Sequence, residues 1–163
     1  EEYYIINEGG YGIMGARGAS TILEHCRDNY THYCCAVGTG TMMAGIINYC
    51  QAEQKTIGIS VLKNNTRLEQ MIQALIVNKN DNWKLIHYPF GGYAKHQPAL
   101  LQFMNEFYGQ TGIPSDFVYT GKLFYAINDL VEKNYFPAGS RLLLIHSGGL
   151  QGNESLPPGS LIF

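Results

Sequence analysis

Charge is scarce in this chain. Only 15% of its 163 residues are charged, with 11 Lys and Arg against 13 Asp and Glu. The basic residues are scattered and none cluster among aromatics, so nothing suggests a nucleic-acid partner. No apolar run is long enough to span a bilayer, and no targeting segment is visible, so no membrane partner is expected. Tryptophan occurs once. The four cysteines (Cys26, Cys34, Cys35 and Cys50) lack the spacing of a metal or redox site. No metal is therefore expected, and buried thiols in a reducing cytoplasm are the natural reading. The chain contains no Gly-Lys-Ser/Thr, which excludes a P-loop. Met43 stands where a dinucleotide fingerprint needs its third glycine.

What is abundant is glycine (19), tyrosine (12) and apolar residues (45%), a composition that suits one globular domain with a real core. The stretch THYCCAVGTGTMMAG, residues 31–45, stands out. A short apolar run ends in Gly38-Thr39-Gly40-Thr41, and a helix-like apolar segment follows at once. A strand, a tight turn and a helix start together aim backbone N–H groups and a helix dipole at one anion. Glycines let the backbone approach closely, and the threonines add hydroxyls. The same pattern also serves an ordinary strand-to-helix turn that needs small residues to pack.

In chain order, apolar and β-branched runs predict strands over residues 3–6, 31–37, 56–62, 84–88 and 141–145, the last being the most apolar. Helices are expected over 16–29, from 42 to 50, after Thr66 with Glu69 completing a capping box, from Pro98 to about Tyr108, and from Gly121 to Lys133. This alternation predicts an α/β fold: an open, mostly parallel sheet with helices on both faces. The loops GTGT, GGYAK and HSGG follow strands, and YTGK follows a brief extended piece at 116–119. Ligands of such sheets bind beyond the carboxyl ends of the strands, so these loops are expected to meet in one pocket.

Taken together, Glu8-Gly9-Gly10, Ala36-Val37-Gly38-Thr39-Gly40-Thr41 with Ala44-Gly45, Gly91-Gly92-Tyr93, Val118-Tyr119-Thr120-Gly121-Lys122 and Ile145-His146-Ser147-Gly148-Gly149 give the chain a family likeness. It resembles the pyridoxal-phosphate enzymes of the 1-aminocyclopropane-1-carboxylate deaminase and D-cysteine desulfhydrase family, of the tryptophan-synthase-β fold type. The resemblance runs through the whole chain but covers only about the C-terminal half of such an enzyme. The chain also opens at Glu1-Glu2-Tyr3 without an initiator methionine, as a piece of something longer would.

The resemblance implies pyridoxal 5'-phosphate as cofactor, a small amino acid as substrate, and a homo-oligomer in the full-length enzyme. Val37, Gly38, Thr39, Gly40 and Thr41 would form the phosphate cup, and Ser147 would set a hydroxyl against the pyridine nitrogen. Tyr119 would be the active-site tyrosine and Tyr93 a second tyrosine near the substrate. Thr120 stands where the deaminases proper carry glutamate, and with Ser147 it points towards thiol elimination rather than cyclopropane opening. Lys122 reads as a helix-start or surface residue. The Schiff-base lysine has no counterpart here, so the chain alone is expected to be inactive. The alternative reading is a non-catalytic α/β module that binds a phosphate-bearing small molecule or serves as an interaction domain.

Overall fold

A computed structural model describes residues 3, 5–26, 29–63, 65–77 and 81–163. Four strands, β1 (His32–Val37), β2 (Lys55–Ser60), β3 (Trp83–His87) and β4 (Leu142–Leu144), form one sheet in the order β3-β2-β1-β4. Every pairing is parallel. The chain steps outward from β1 through β2 to β3, then returns to place β4 on the other side of β1. That reversal makes β1–β4 the switch point of the sheet, where connections leave in opposite directions and open a crevice.

All six residues of β1 are buried, as a central strand covered on both faces requires. Successive side chains alternate between faces. Tyr33, Cys35 and Val37 thus join the core beneath α1 (Ile13–Ser20), α2 (Thr41–Tyr49) and α3 (Leu68–Gln73). Cys34 and Ala36 join Ile57, Ile59, Leu123 and Ile127 beneath α5 (Thr120–Glu132), with Phe103 and Phe107 of α4 (Pro98–Thr111) packed alongside. The adjacent cysteines therefore serve opposite cores. Burial pushes the Cys34 thiol up to about 12 and the Cys35 thiol higher still, which keeps both protonated and inert. None of the four cysteines forms a disulfide among the described residues.

Helix ends follow local chemistry. Pro98 opens α4, and Gly112 closes it at φ 69° with its N–H bonded to Tyr108 O at 2.7 Å. The expected capping box does not form. The α3 helix begins at Leu68, and Asn65 supplies the acceptors for the N–H groups of Arg67 and Leu68 instead of Thr66. The long helix expected over 16–29 is α1 followed by a 3₁₀ turn, Thr21–His25; residues 27 and 28 lie outside the described set. The strand expected at 3–6 does not form among its described residues. Tyr3, Ile5 and Ile6 lie outside any strand and are more than 70% exposed. The apolar segment at 141–145 gives only a three-residue strand at the sheet edge, where Leu142–Leu144 are half-buried. No helix among the described residues is long and apolar enough to cross a membrane.

Candidate functional site

The carboxyl ends of the strands open into a cleft of about 690 Å³. Its floor is Gly38-Thr39-Gly40-Thr41, between the end of β1 and the start of α2. Gly40 precedes the helix at φ 88°, and a β-carbon there would come 2.5 Å from Ile72 Cγ1, so both the backbone angle and the space demand glycine. The first bond of α2 runs from Ala44 N–H to Gly40 O at 2.9 Å. The amides from Gly38 to Met43 therefore donate to no acceptor among the described residues. Thr39 and Thr41 hydroxyls lie 2.9 Å apart, so one proton serves their mutual bond and the other is left to donate.

Six consecutive orphan donors at a helix start fit a phosphate, and they supply its positive environment through dipoles alone. No lysine or arginine lines the cleft among the described residues, and Glu8 is its one charged lining residue. The residues present thus fit the phosphate end of pyridoxal phosphate.

The walls come from the loops singled out in the sequence. Tyr93, Tyr119, Ser147, Gly148 and Gly149 all line the same cleft, with Leu62 from beyond β2. Val37 lines it at the end of β1. All eight candidate residues are therefore brought together. Tyr119 sits at the N-cap of α5, and its ring meets Tyr93 edge-on, with centroids 6.0 Å apart at 71°. Burial, the Tyr93 hydroxyl and the negative charges of Asp116 and Glu8 push the Tyr119 phenol up to about 12. Among the described residues no lysine lowers it, contrary to what a base role would require.

His146 is fixed at the end of the β4 segment by its two ring nitrogens. Nε2 donates to Pro114 O at 2.7 Å, and Nδ1 accepts from Gly148 N–H at 3.1 Å. That pairing selects one tautomer and steadies the turn that presents Ser147.

Two residues behave differently from their sequence reading, and a third gains a role only in the fold. Thr120 does not face the cleft: it is fully buried, and its hydroxyl donates to Asp116 Oδ2 at 2.6 Å. A threonine next to a buried carboxylate acceptor serves the helix cap, so the argument from Thr120 to the substrate falls away. Lys122 is fully buried rather than at the surface, because the loop at 90–92 folds over it. The third is Asp116. Its carboxylate accepts from the N–H groups of Val118, Tyr119 and Thr120 at 2.7–2.9 Å and lies beneath Gly149. Its only sequence signal was an Asp placed four residues before a helix start.

The sequence profile of the family described as pyridoxal-phosphate dependent enzyme matches residues 1–148. A putative 1-aminocyclopropane-1-carboxylate deaminase of Pyrococcus horikoshii is 27% identical over 91% of this chain and 50% of its own length. The bifunctional mitochondrial D-cysteine desulfhydrase/1-aminocyclopropane-1-carboxylate deaminase of Arabidopsis thaliana is 28% identical over 91% of this chain and 42% of its own. The crystal structure of an ACC deaminase homologue superposes with a TM-score of 0.83 at 27% identity, covering 92% of this chain and 50% of that one. The chain thus spans about half the length of the relatives it matches. With a four-stranded parallel sheet of the same fold and a family match over nearly its full length, the chain belongs to the pyridoxal-phosphate-dependent enzymes.

Proposed function

We propose that this chain is the cofactor-binding portion of a deaminase or lyase that releases ammonia and a 2-oxo acid from a small amino acid. The observation that carries the reading is the run of unpaired amides from Gly38 to Met43, in a cleft walled by Tyr93, Tyr119 and Ser147. Pyridoxal phosphate, when bound, supplies an electron-accepting ring beside the substrate's α-carbon.

The chain's own residues supply the rest. Gly38, Thr39, Gly40 and Thr41, with Val37 behind them, hold the phosphate. The Ser147 hydroxyl is assigned to the pyridine nitrogen, to which it can donate a hydrogen bond without supplying a negative charge. With the Ser147 hydroxyl rather than a carboxylate at that position, the site would suit substrates that lose a leaving group promptly, so thiol elimination from D-cysteine is preferred over opening of the cyclopropane. Tyr119, protonated at neutral pH, gives a proton or a hydrogen bond to the reacting substrate. Tyr93 stands at the mouth, 56% exposed, where it can meet the substrate's polar groups.

No lysine lines the cleft among the described residues. The Schiff-base lysine and the smaller closing domain are therefore assigned to the other half of the complete protein, and this chain alone is read as non-catalytic. The complete protein is read as a homo-oligomer. A cytoplasmic location suits cysteines that form no disulfide among the described residues.

The test begins with the chain itself. Pyridoxal phosphate should bind reversibly and be displaced by inorganic phosphate, without release of a 2-oxo acid. Binding that phosphate does not displace, or no binding at all, would remove the reading. In the complete protein, pyruvate released from D-cysteine against 2-oxobutyrate released from 1-aminocyclopropane-1-carboxylate decides the substrate.

A further inference from the structure

Lys122 is the one lysine among the largest fully buried side chains. Its Nζ donates to Gly92 O at 2.7 Å and lies 5.5 Å from the centroid of the Phe90 ring. No carboxylate lies within salt-bridge distance of it among the described residues. A buried ammonium without an ion-pair partner is costly, and a chain that served only packing would fill the space with an apolar residue.

What the amine holds is informative. Gly91 and Gly92 adopt φ 83° and φ 122°, and the next residue is Tyr93. Tyr93 is exposed over more than half its surface, so its own packing does little to place it. Its ring nevertheless stands edge-on to Tyr119. Tyr119 is the N-cap of α5 and Lys122 lies in its first turn, three residues on. The bond from Lys122 to Gly92 O thus ties the backbone beside Tyr93 to the helix end that carries Tyr119.

We propose that Lys122 is a positioning residue whose buried amine latches the Gly92 carbonyl to the start of α5 and so holds Tyr93 against Tyr119. The proposal deepens the reading above and rests on it for the role of the two tyrosines. Burial lowers the amine and the Asp116 charge raises it, leaving it at about 8, so at neutral pH it keeps its proton and the bond is charge-assisted. An apolar side chain of similar length would fill the space but release the loop.

The test uses the 163-residue chain with no cofactor added, its tyrosine rings resolved by NMR. Wild type should show a cross-peak between the Tyr93 and Tyr119 rings. Lys122→Met should keep the core spectrum and lose that cross-peak, and Lys122→Gln, which retains an N–H donor, should recover part of it. A folded Lys122→Met with the cross-peak intact overturns the proposal. Should Lys122→Met not fold, wild type decides. Its Lys122 amine should exchange slowly and couple to the Gly92 carbonyl carbon, whereas exchange as fast as that of the exposed Lys55 and Lys95 overturns the latch. Because no cofactor is present, failure of pyridoxal phosphate to bind leaves this measurement untouched, and failure of the latch leaves phosphate binding untouched.

Discussion

The ring of Tyr119 lies directly across Gly38: a β-carbon at position 38 would come 3.4 Å from Tyr119 Cε1. The proposed phosphate cradle and the proposed proton donor are thus in mutual contact. Asp116 and Lys122, which flank Tyr119 in sequence, engage through side chains that are themselves buried. The tyrosine is held at the cleft by its N–H bond to Asp116 and by the edge-on contact with the Tyr93 ring.

Removing the Tyr119 hydroxyl tests its part in proton transfer. In the complete protein, Tyr119→Phe should lower turnover by about 100-fold or more while the cofactor stays bound. Steady-state kinetics alongside the cofactor absorbance would show this. Turnover close to wild type would take Tyr119 out of the chemistry.

Alkaline pH tests its environment. An isolated tyrosine ionises near 10, whereas Tyr119 in the fold is raised to about 12. The folded state then holds a proton that the unfolded chain has released, so this group's contribution to stability is complete below pH 10 and is lost as pH rises through about 12. Thermal melts between pH 8 and 12 should show a decline that begins above 10 and is shallower in Tyr119→Phe. Tyr88, raised in the same direction by burial and Asp129, should add to the decline in both proteins.

Gly40→Ala should damage the cradle twice over. The left-handed backbone costs about 1 kcal/mol or more for alanine, and the new methyl runs into Ile72. The expected result is a lower melting temperature together with loss of phosphate competition against pyridoxal phosphate. Retained competition at unchanged affinity would show that the amides of this turn are not the phosphate site.

Asp116→Ala should be among the most destabilising single changes in the chain. Three backbone amides and the Thr120 hydroxyl lose their acceptor inside a buried cap, at about 1–3 kcal/mol for each donor left unpaired. Urea unfolding should report a loss of about 3 kcal/mol or more. Asp116→Asn, which preserves the shape and one acceptor oxygen, should lose less.

The alternation of short apolar runs with amphipathic ones, punctuated by Gly and Pro, was enough to predict a parallel sheet with helices on both faces. It was also enough to predict that the loops GTGT, GGYAK, YTGK and HSGG meet, because in such a sheet every strand's carboxyl end faces the same side. The proposed cradle was legible because its geometry is local: a turn, a helix start and the glycines between them are contiguous in sequence. Sequence could not say which strand would be central and which would lie at an edge. The most apolar run, at 141–145, became a short edge strand, while β1 took the fully buried place. Nor could it tell that Lys122 would be enclosed, that Thr120 would turn from the cleft to Asp116, or that an aspartate would hold three amides at once. Those outcomes depend on segments far apart in the chain closing over one another. A lone charged residue shows its partner only after that partner has been brought within hydrogen-bond distance.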